Sequence, residues 1–234
     1  MSAAAIKALC FDKDGTLFDF AATWEAWAEA VLLRAARGDT EHATRAGAAI
    51  GFDLARGMFA PDSIVIAGTP DEVAEVLSPH FPDISEPDFL AMLNEEAARA
   101  PQAPAVPLRP LLEALRTRGL KLGVATNDSE APARAHLGQA GVTEMFDFIS
   151  GYDSGFGGKP APGQLLAFAQ AVGIEAGQIA MVGDSTHDLH AGRAAGMQTI
   201  AVLTGAAGAD VLAPFADVVL RDIGEIPAWL DRQS

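Results

Sequence analysis

At 234 residues, half of them apolar, the chain can bury a full core with a sizeable insert beside it, which argues against a disordered chain. Its 31 acidic residues against 16 basic ones give a formal net charge of -15, which argues against nucleic acid or an anionic membrane surface as partner. Any anionic ligand must then be held by a local group of cations, and only four lysines are available: Lys7, Lys13, Lys121 and Lys159.

The chain opens with the apolar run Ile6 to Phe11, a buried strand by composition. Its single cysteine, Cys10, lies inside that run and is expected to be a structural thiol; no internal disulfide is possible. The N-terminus has no basic leader before a long apolar stretch, and no segment approaches the roughly 20 apolar residues of a membrane span. A soluble cytoplasmic protein is expected. Residues 20–100 lack the alternation of strands and are rich in alanine, leucine and glutamate. They are expected to form a helical insert, with Ile64-Val65-Ile66 as its one brief strand-like run. Trp24, Trp27, Val31 and Leu32 recur at helical spacing and predict an amphipathic helix. The tryptophans serve its core or, alternatively, the wall of a substrate pocket. Pro101 to Pro107 then has the composition of a stiff linker.

From there on, short apolar runs alternate with segments of helical period. Strands are predicted at Lys121 to Ala125, Phe146 to Ser150, Ile179 to Val182, Thr199 to Leu203 and Asp217 to Leu220. Helices are predicted at Leu111 to Arg118, Ala131 to Gln139, Gln164 to Val172 and Asp188 to Ala195, several closed by Gly119, Gly141, Gly173 and Gly196. The pattern is that of an α/β protein with a Rossmann-like, doubly wound parallel sheet core. The core takes residues 1–19 and 101–234, and an inserted α-helical cap domain takes residues 20–100.

In such sheets ligands bind outside the carboxyl ends of the strands, so the strand ends can be considered together. The first ends in Asp12-Lys13-Asp14-Gly15, two carboxylates two residues apart that would be costly to crowd without positive charge between them; a divalent cation is the natural answer. The second strand ends in Thr126-Asn127-Asp128. The third leads to Gly157-Gly158-Lys159-Pro160 and the fourth to Gly183-Asp184-Ser185-Thr186-His187-Asp188. The lysine-bearing loop is not a Walker loop, because Asp153 stands five positions before Gly158.

Asp12-x-Asp14-Gly15-Thr16, Thr126, Lys159-Pro160 and Gly183-Asp184-Ser185-x-x-Asp188 together resemble the four motifs of the haloacid dehalogenase-like hydrolase superfamily. They stand in that family's order across nearly the whole chain. The helical insert between the first two resembles the cap of the phosphoglycolate phosphatase and β-phosphoglucomutase branch. The resemblance implies that Asp12 attacks phosphorus to form an aspartyl-phosphate, with Asp14 as general acid and then general base. It implies phosphoryl contacts from Thr126, the Asn127 amide and the backbone N–H groups of Lys13 and Asp14, and charge neutralisation by Lys159. It also implies a Mg2+ site built from Asp12, the Asp14 carbonyl, Asp184 and Asp188, with Asp188 acting directly, through water or by orienting Lys159. His187 is expected to be an exposed residue at a helix start.

The resemblance further implies phosphoryl chemistry rather than ester dehalogenation, because the superfamily's dehalogenases generally lack a carboxylate at the position of Asp14. The expected activity is Mg2+-dependent hydrolysis of a small-molecule phosphate monoester, with phosphoglycolate the best single substrate. A β-phosphoglucomutase-like mutase and a catalytically silent binding protein on the same fold are the alternatives. A carboxylate-bearing substrate needs a cation from the insert, which has no lysine; Arg45 and Arg56 are candidates by location.

Overall fold

The computed structural model describes residues 5–232; of the predicted core span, residues 1–4, 233 and 234 lie outside the described residues. The first strand, β1 (Ala8–Phe11), is buried along its whole length because it sits between two parallel neighbours. This is why its sequence is continuously apolar rather than alternating. Its two faces feed different cores. Leu9 and Phe11 pack with Leu112, Leu115 and Trp229, while Ala8 and Cys10 pack with Leu165, Phe168 and Met181.

The insert follows as α1 (Phe20–Ala35), α2 (Thr40–Ala49), a hairpin of β2 (Phe52–Asp53) and β3 (Met58–Phe59), α3 (Pro70–Leu77) and α4 (Glu86–Arg99). Each helix starts where a short polar side chain accepts an orphan backbone N–H: Asp19 from Ala22, Asp39 from His42, Thr69 from Glu72 and Ser85 from Asp88. These helices enclose an apolar core of their own, with Trp24, Trp27, Leu32, Leu77, Phe89 and Leu93, that shares no residue with the sheet cores. Ile64–Ile66 is a short 3-10 helix rather than a strand. The predicted linker does more than span a gap. Ala103 accepts from the Asp19 N–H and Ala105 donates to the Leu17 carbonyl, so the chain's exit to the insert and its return run side by side.

The sheet is completed by β4 (Lys121–Ala125), β5 (Phe148–Ser150), β6 (Ile179–Gly183), β7 (Gln198–Val202) and β8 (Val218–Leu220), all parallel, in the order β5-β4-β1-β6-β7-β8. The helices α5 (Leu108–Thr117), α6 (Glu130–Gln139), α7 (Gly163–Val172), α8 (Thr186–Ala194), α9 (Ala209–Leu212) and α10 (Ile226–Asp231) connect and flank the strands. After β1 the chain winds outward through β4 and β5, then returns to β6 and winds the other way. The topological switch therefore falls at β1, and the carboxyl ends of β1, β4 and β6 open onto one crevice.

Candidate active site

At the end of β1 the Asp12 N–H still bonds to the Val182 carbonyl, holding Asp12 in the sheet's register. The chain then turns sharply: Leu17 and Phe18 both donate to the Lys13 carbonyl, and Gly15 sits at φ 79°. A Cβ added at Gly15 would come within 2.3 Å of Asp184 Oδ2, so glycine is what lets the carboxylate from the end of β6 lie over this loop. The Thr16 hydroxyl, one residue on, donates to Asp184 Oδ1 at 3.2 Å.

Asp12, Asp184 and Asp188 each offer a carboxylate oxygen within 4.8 Å of the others, and all three are buried. Lys159 Nζ, also buried, lies 2.5 Å from Asp12 Oδ1 and 2.6 Å from Asp188 Oδ1. Asp188 is held by a capping box at the start of α8, its Oδ2 accepting from the Ser185 N–H at 3.0 Å and the Ser185 hydroxyl at 2.7 Å. Three carboxylates against one ammonium leave an excess of two negative charges in a buried site. Burial, with Asp188 and Asp14 adding to it against Lys159, pushes the Asp12 carboxyl up to about 7. Burial and the neighbouring Asp12 and Asp188 raise Asp184 well above the usual carboxylate range. A hard dication among these oxygen donors would remove that repulsion, so the residues fit a divalent metal. The Asp14 carboxylate is not part of this cluster.

The remaining motif residues come to the same crevice. Thr126 is buried at the end of β4, its hydroxyl oxygen accepting from the Asp128 N–H at 3.1 Å. It is not the cap of α6, whose N-cap residue is Ser129. The Asn127 side chain is spent on positioning: it donates to the Lys159 carbonyl (2.9 Å) and the Ala67 carbonyl (2.8 Å), and its oxygen accepts from the Lys159 N–H (2.7 Å). One side chain thus ties the lysine loop to the insert. Against the cost of burial, Asp12 and Asp188 keep Lys159 charged.

The Lys13 side chain carries a role that the sequence did not reveal. It has no exposure, and its ammonium lies 2.9 Å from Asp14 Oδ2, 3.0 Å from Asp128 Oδ2 and 2.8 Å from His136 Nδ1, with the Trp24 ring centroid at 5.4 Å. Because a lysine only donates, His136 Nδ1 must accept and Nε2–H must donate to the Ala97 carbonyl at the end of α4, 2.6 Å away. Burial raises Asp128 to about 6 against the pull of Lys13, and burial with the Lys13 charge lowers His136 to about 4. No spacing rule links these residues; their distance in sequence hid them.

The crevice is roofed by the insert: the cavity over the carboxylates is lined by Trp24, Trp27, Val65 and Val73 as well as by Asp12, Asp14, Thr126 and Lys159. Both tryptophans are therefore core residues and cavity wall at once. His187 departs from expectation. It is half-buried and faces the cavity, because the N-terminus of a helix following a parallel strand points into the crevice. Arg45 and Arg56 lie outside this cavity, exposed and paired with Glu41 and Asp53.

The sequence model of haloacid dehalogenase-like hydrolases matches residues 6–196, a span that contains every residue of this crevice. The chain belongs to that family. A phosphoglycolate phosphatase of Rhodospirillum rubrum is 38% identical to this hydrolase over 120 residues, 51% of this chain and 50% of that protein. One from Xylella fastidiosa is 31% identical over 199 residues, 85% of this chain and 81% of the relative. The chain thus spans about half the length of the first of these. In structure the hydrolase resembles CbbY from Rhodobacter sphaeroides in complex with phosphate, with a TM-score of 0.68, 23% identity and coverage of 97% of this chain and 99% of the other, a likeness of fold. No helix among the described residues is long and apolar enough to cross a membrane.

Proposed function

We propose that this hydrolase is a Mg2+-dependent phosphatase acting on a small-molecule phosphate monoester through an aspartyl-phosphate on Asp12. The observation that carries the reading is the Asp12 carboxylate at the floor of a roofed cavity, 2.5 Å from the Lys159 ammonium and within reach of two further carboxylates. Asp12, Asp184 and Asp188, with the Asp14 carbonyl, would hold the metal. When bound, the ion supplies positive charge to phosphoryl oxygens and screens the nucleophile from its neighbours.

Asp12 attacks phosphorus, and the P–O bond to the leaving group breaks. Asp14, two residues on, gives its proton to the departing oxygen and later takes one from the water that cleaves the aspartyl-phosphate. Lys159, the Thr126 hydroxyl, the Asn127 backbone amide and the Lys13 and Asp14 backbone N–H groups receive the charge that builds on the phosphoryl oxygens. Residues 20–100 act as a cap whose closure keeps bulk water from the reacting centre. The named relatives make phosphoglycolate the first ester to try.

The test is phosphate release from a panel of phosphate monoesters with and without Mg2+, using Asp12→Asn as control. Metal-dependent release lost in the variant is the expected outcome. Equal release from the variant, or full activity in excess EDTA, would refute the mechanism.

A further inference from the structure

The wall of the cavity contributed by the insert is apolar: Phe20, Trp24, Trp27, Val65, Ile66 and Val73 face the crevice. None of the insert's five arginines belongs to it. Arg34, Arg45, Arg56 and Arg99 are exposed in pairs with carboxylates on the outside of the insert, and Arg37 is exposed as well. On the core side Lys159 is engaged by Asp12 and Asp188, which leaves His187 as the other ring or side chain of the lining able to carry positive charge. The cavity measures about 60 Å³, room for a few waters, so a leaving group held in it is small and in contact with the apolar wall. Neither indole N–H of that wall is exposed to the space: that of Trp24 is buried among protein atoms and that of Trp27 donates to the Leu93 carbonyl at 3.0 Å.

Resting on the phosphatase reading above, we infer that the leaving group of the substrate is small, uncharged and largely apolar, rather than a carboxylate such as that of phosphoglycolate. An extra carboxylate here would lose its water, gain no fixed cation and stand near the carboxylates already in the crevice. A neutral group would carry no such cost, and its alkyl carbons would fill the space beside the aromatic rings.

The experiment compares kcat/KM for phosphoglycolate, for its neutral amide phosphoglycolamide, which has the same shape, and for isobutyl phosphate. Both neutral esters should exceed phosphoglycolate by at least ~10-fold, the lower end of the cost of burying an uncompensated polar group. Ile66→Arg should raise the value for phosphoglycolate. A wild-type preference for phosphoglycolate, above all one lost in His187→Gln, would overturn the inference. A binding arm keeps the test independent of turnover: calorimetry of 3-phosphonopropionamide against 3-phosphonopropionate, both non-hydrolysable, in the presence of Mg2+. Equal or tighter binding of the acid overturns the inference even where no ester is cleaved. Preferential binding of the amide with no ester cleaved upholds it and overturns the phosphatase reading alone.

Discussion

A lysine with no solvent exposure is costly unless its charge is met on all sides, and Lys13 is met by Asp14, Asp128 and the neutral face of His136. The carboxylates of Asp14 and Asp128 keep it charged despite burial. Its worth lies in what its removal would leave behind. Lys13→Met should destabilise the protein by about 3–5 kcal/mol in urea unfolding, because Asp128 is then a buried carboxylate without a counter-ion. Lys13→Met with Asp128→Asn should recover a measurable part of that loss, and strictly additive single effects would show that the pair is not coupled. The two aspartates around Lys13 were legible in the sequence because carboxylates at the end of an apolar run have few structural uses. The lysine was not, because its burial depends on Asp128 and His136, brought in with α6, and on Trp24 of α1 folding back over it. The same limit applied to His187, whose direction is set by the start of α8 and not by its neighbours in sequence.

Among elements, the sheet was the most legible part. Continuous apolar runs marked β1 and β6, and the glycines expected to end helices take positive φ at Gly119, Gly141, Gly173 and Gly196. The insert's hairpin was missed because strands of two residues carry no alternation to detect. Ile64-Val65-Ile66 misled through its β-branched residues. There the Ser63 hydroxyl donates to the Ile50 carbonyl and accepts from the Val65 N–H, and that local capping outweighs strand propensity. One contact between elements has a readable pH signature. His136 on α6 joins the loop after β1 to the end of α4 and is neutral, its pKa lowered from 6.5 to about 4 by burial and then by the Lys13 charge. A base with a depressed folded pKa contributes stability above its unfolded value and loses it as the pH falls. Between pH 6.5 and 4 the unfolded chain binds a proton that the folded one refuses, so stability falls toward acid by up to about 1.4 kcal/mol per pH unit from this residue. His136→Gln should remove that component, seen as a shallower decline in urea midpoints from pH 6.5 to 4 than in the wild type. Parallel declines in the two proteins would mean that His136 takes up its proton in the folded state.

At the scale of the molecule, a net charge of -15 and two excess negative charges in a buried crevice act in the same direction, and both make the metal-free fold pay for ionising its carboxylates. Asp12 is raised from 3.8 to about 7 and Asp184 is raised well above its ordinary value, chiefly by burial. A carboxyl group with a raised folded pKa stabilises the fold while protonated, so its contribution is complete below pH 3.8 and is lost as the pH climbs through 7. For Asp12 alone that loss is of the order of a few kcal/mol. A divalent cation competes with those protons and restores the lost stability only where the carboxylates have ionised. The rise in Tm on adding Mg2+ to EDTA-treated protein should therefore be small at pH 5 and several degrees at pH 7.5, by differential scanning fluorimetry. His136 acts in the opposite sense, but it is common to both states of loading and drops out of the difference. Asp184→Asn separates this electrostatic account from general ion effects. Removing one of the buried negative charges should make the metal-free protein more stable than the wild type at pH 7.5 while abolishing most of the Mg2+ response. A variant that is less stable without metal, or that keeps the full response, would mean that Asp184 is a structural hydrogen-bond acceptor for Thr16 rather than part of the charge the metal offsets.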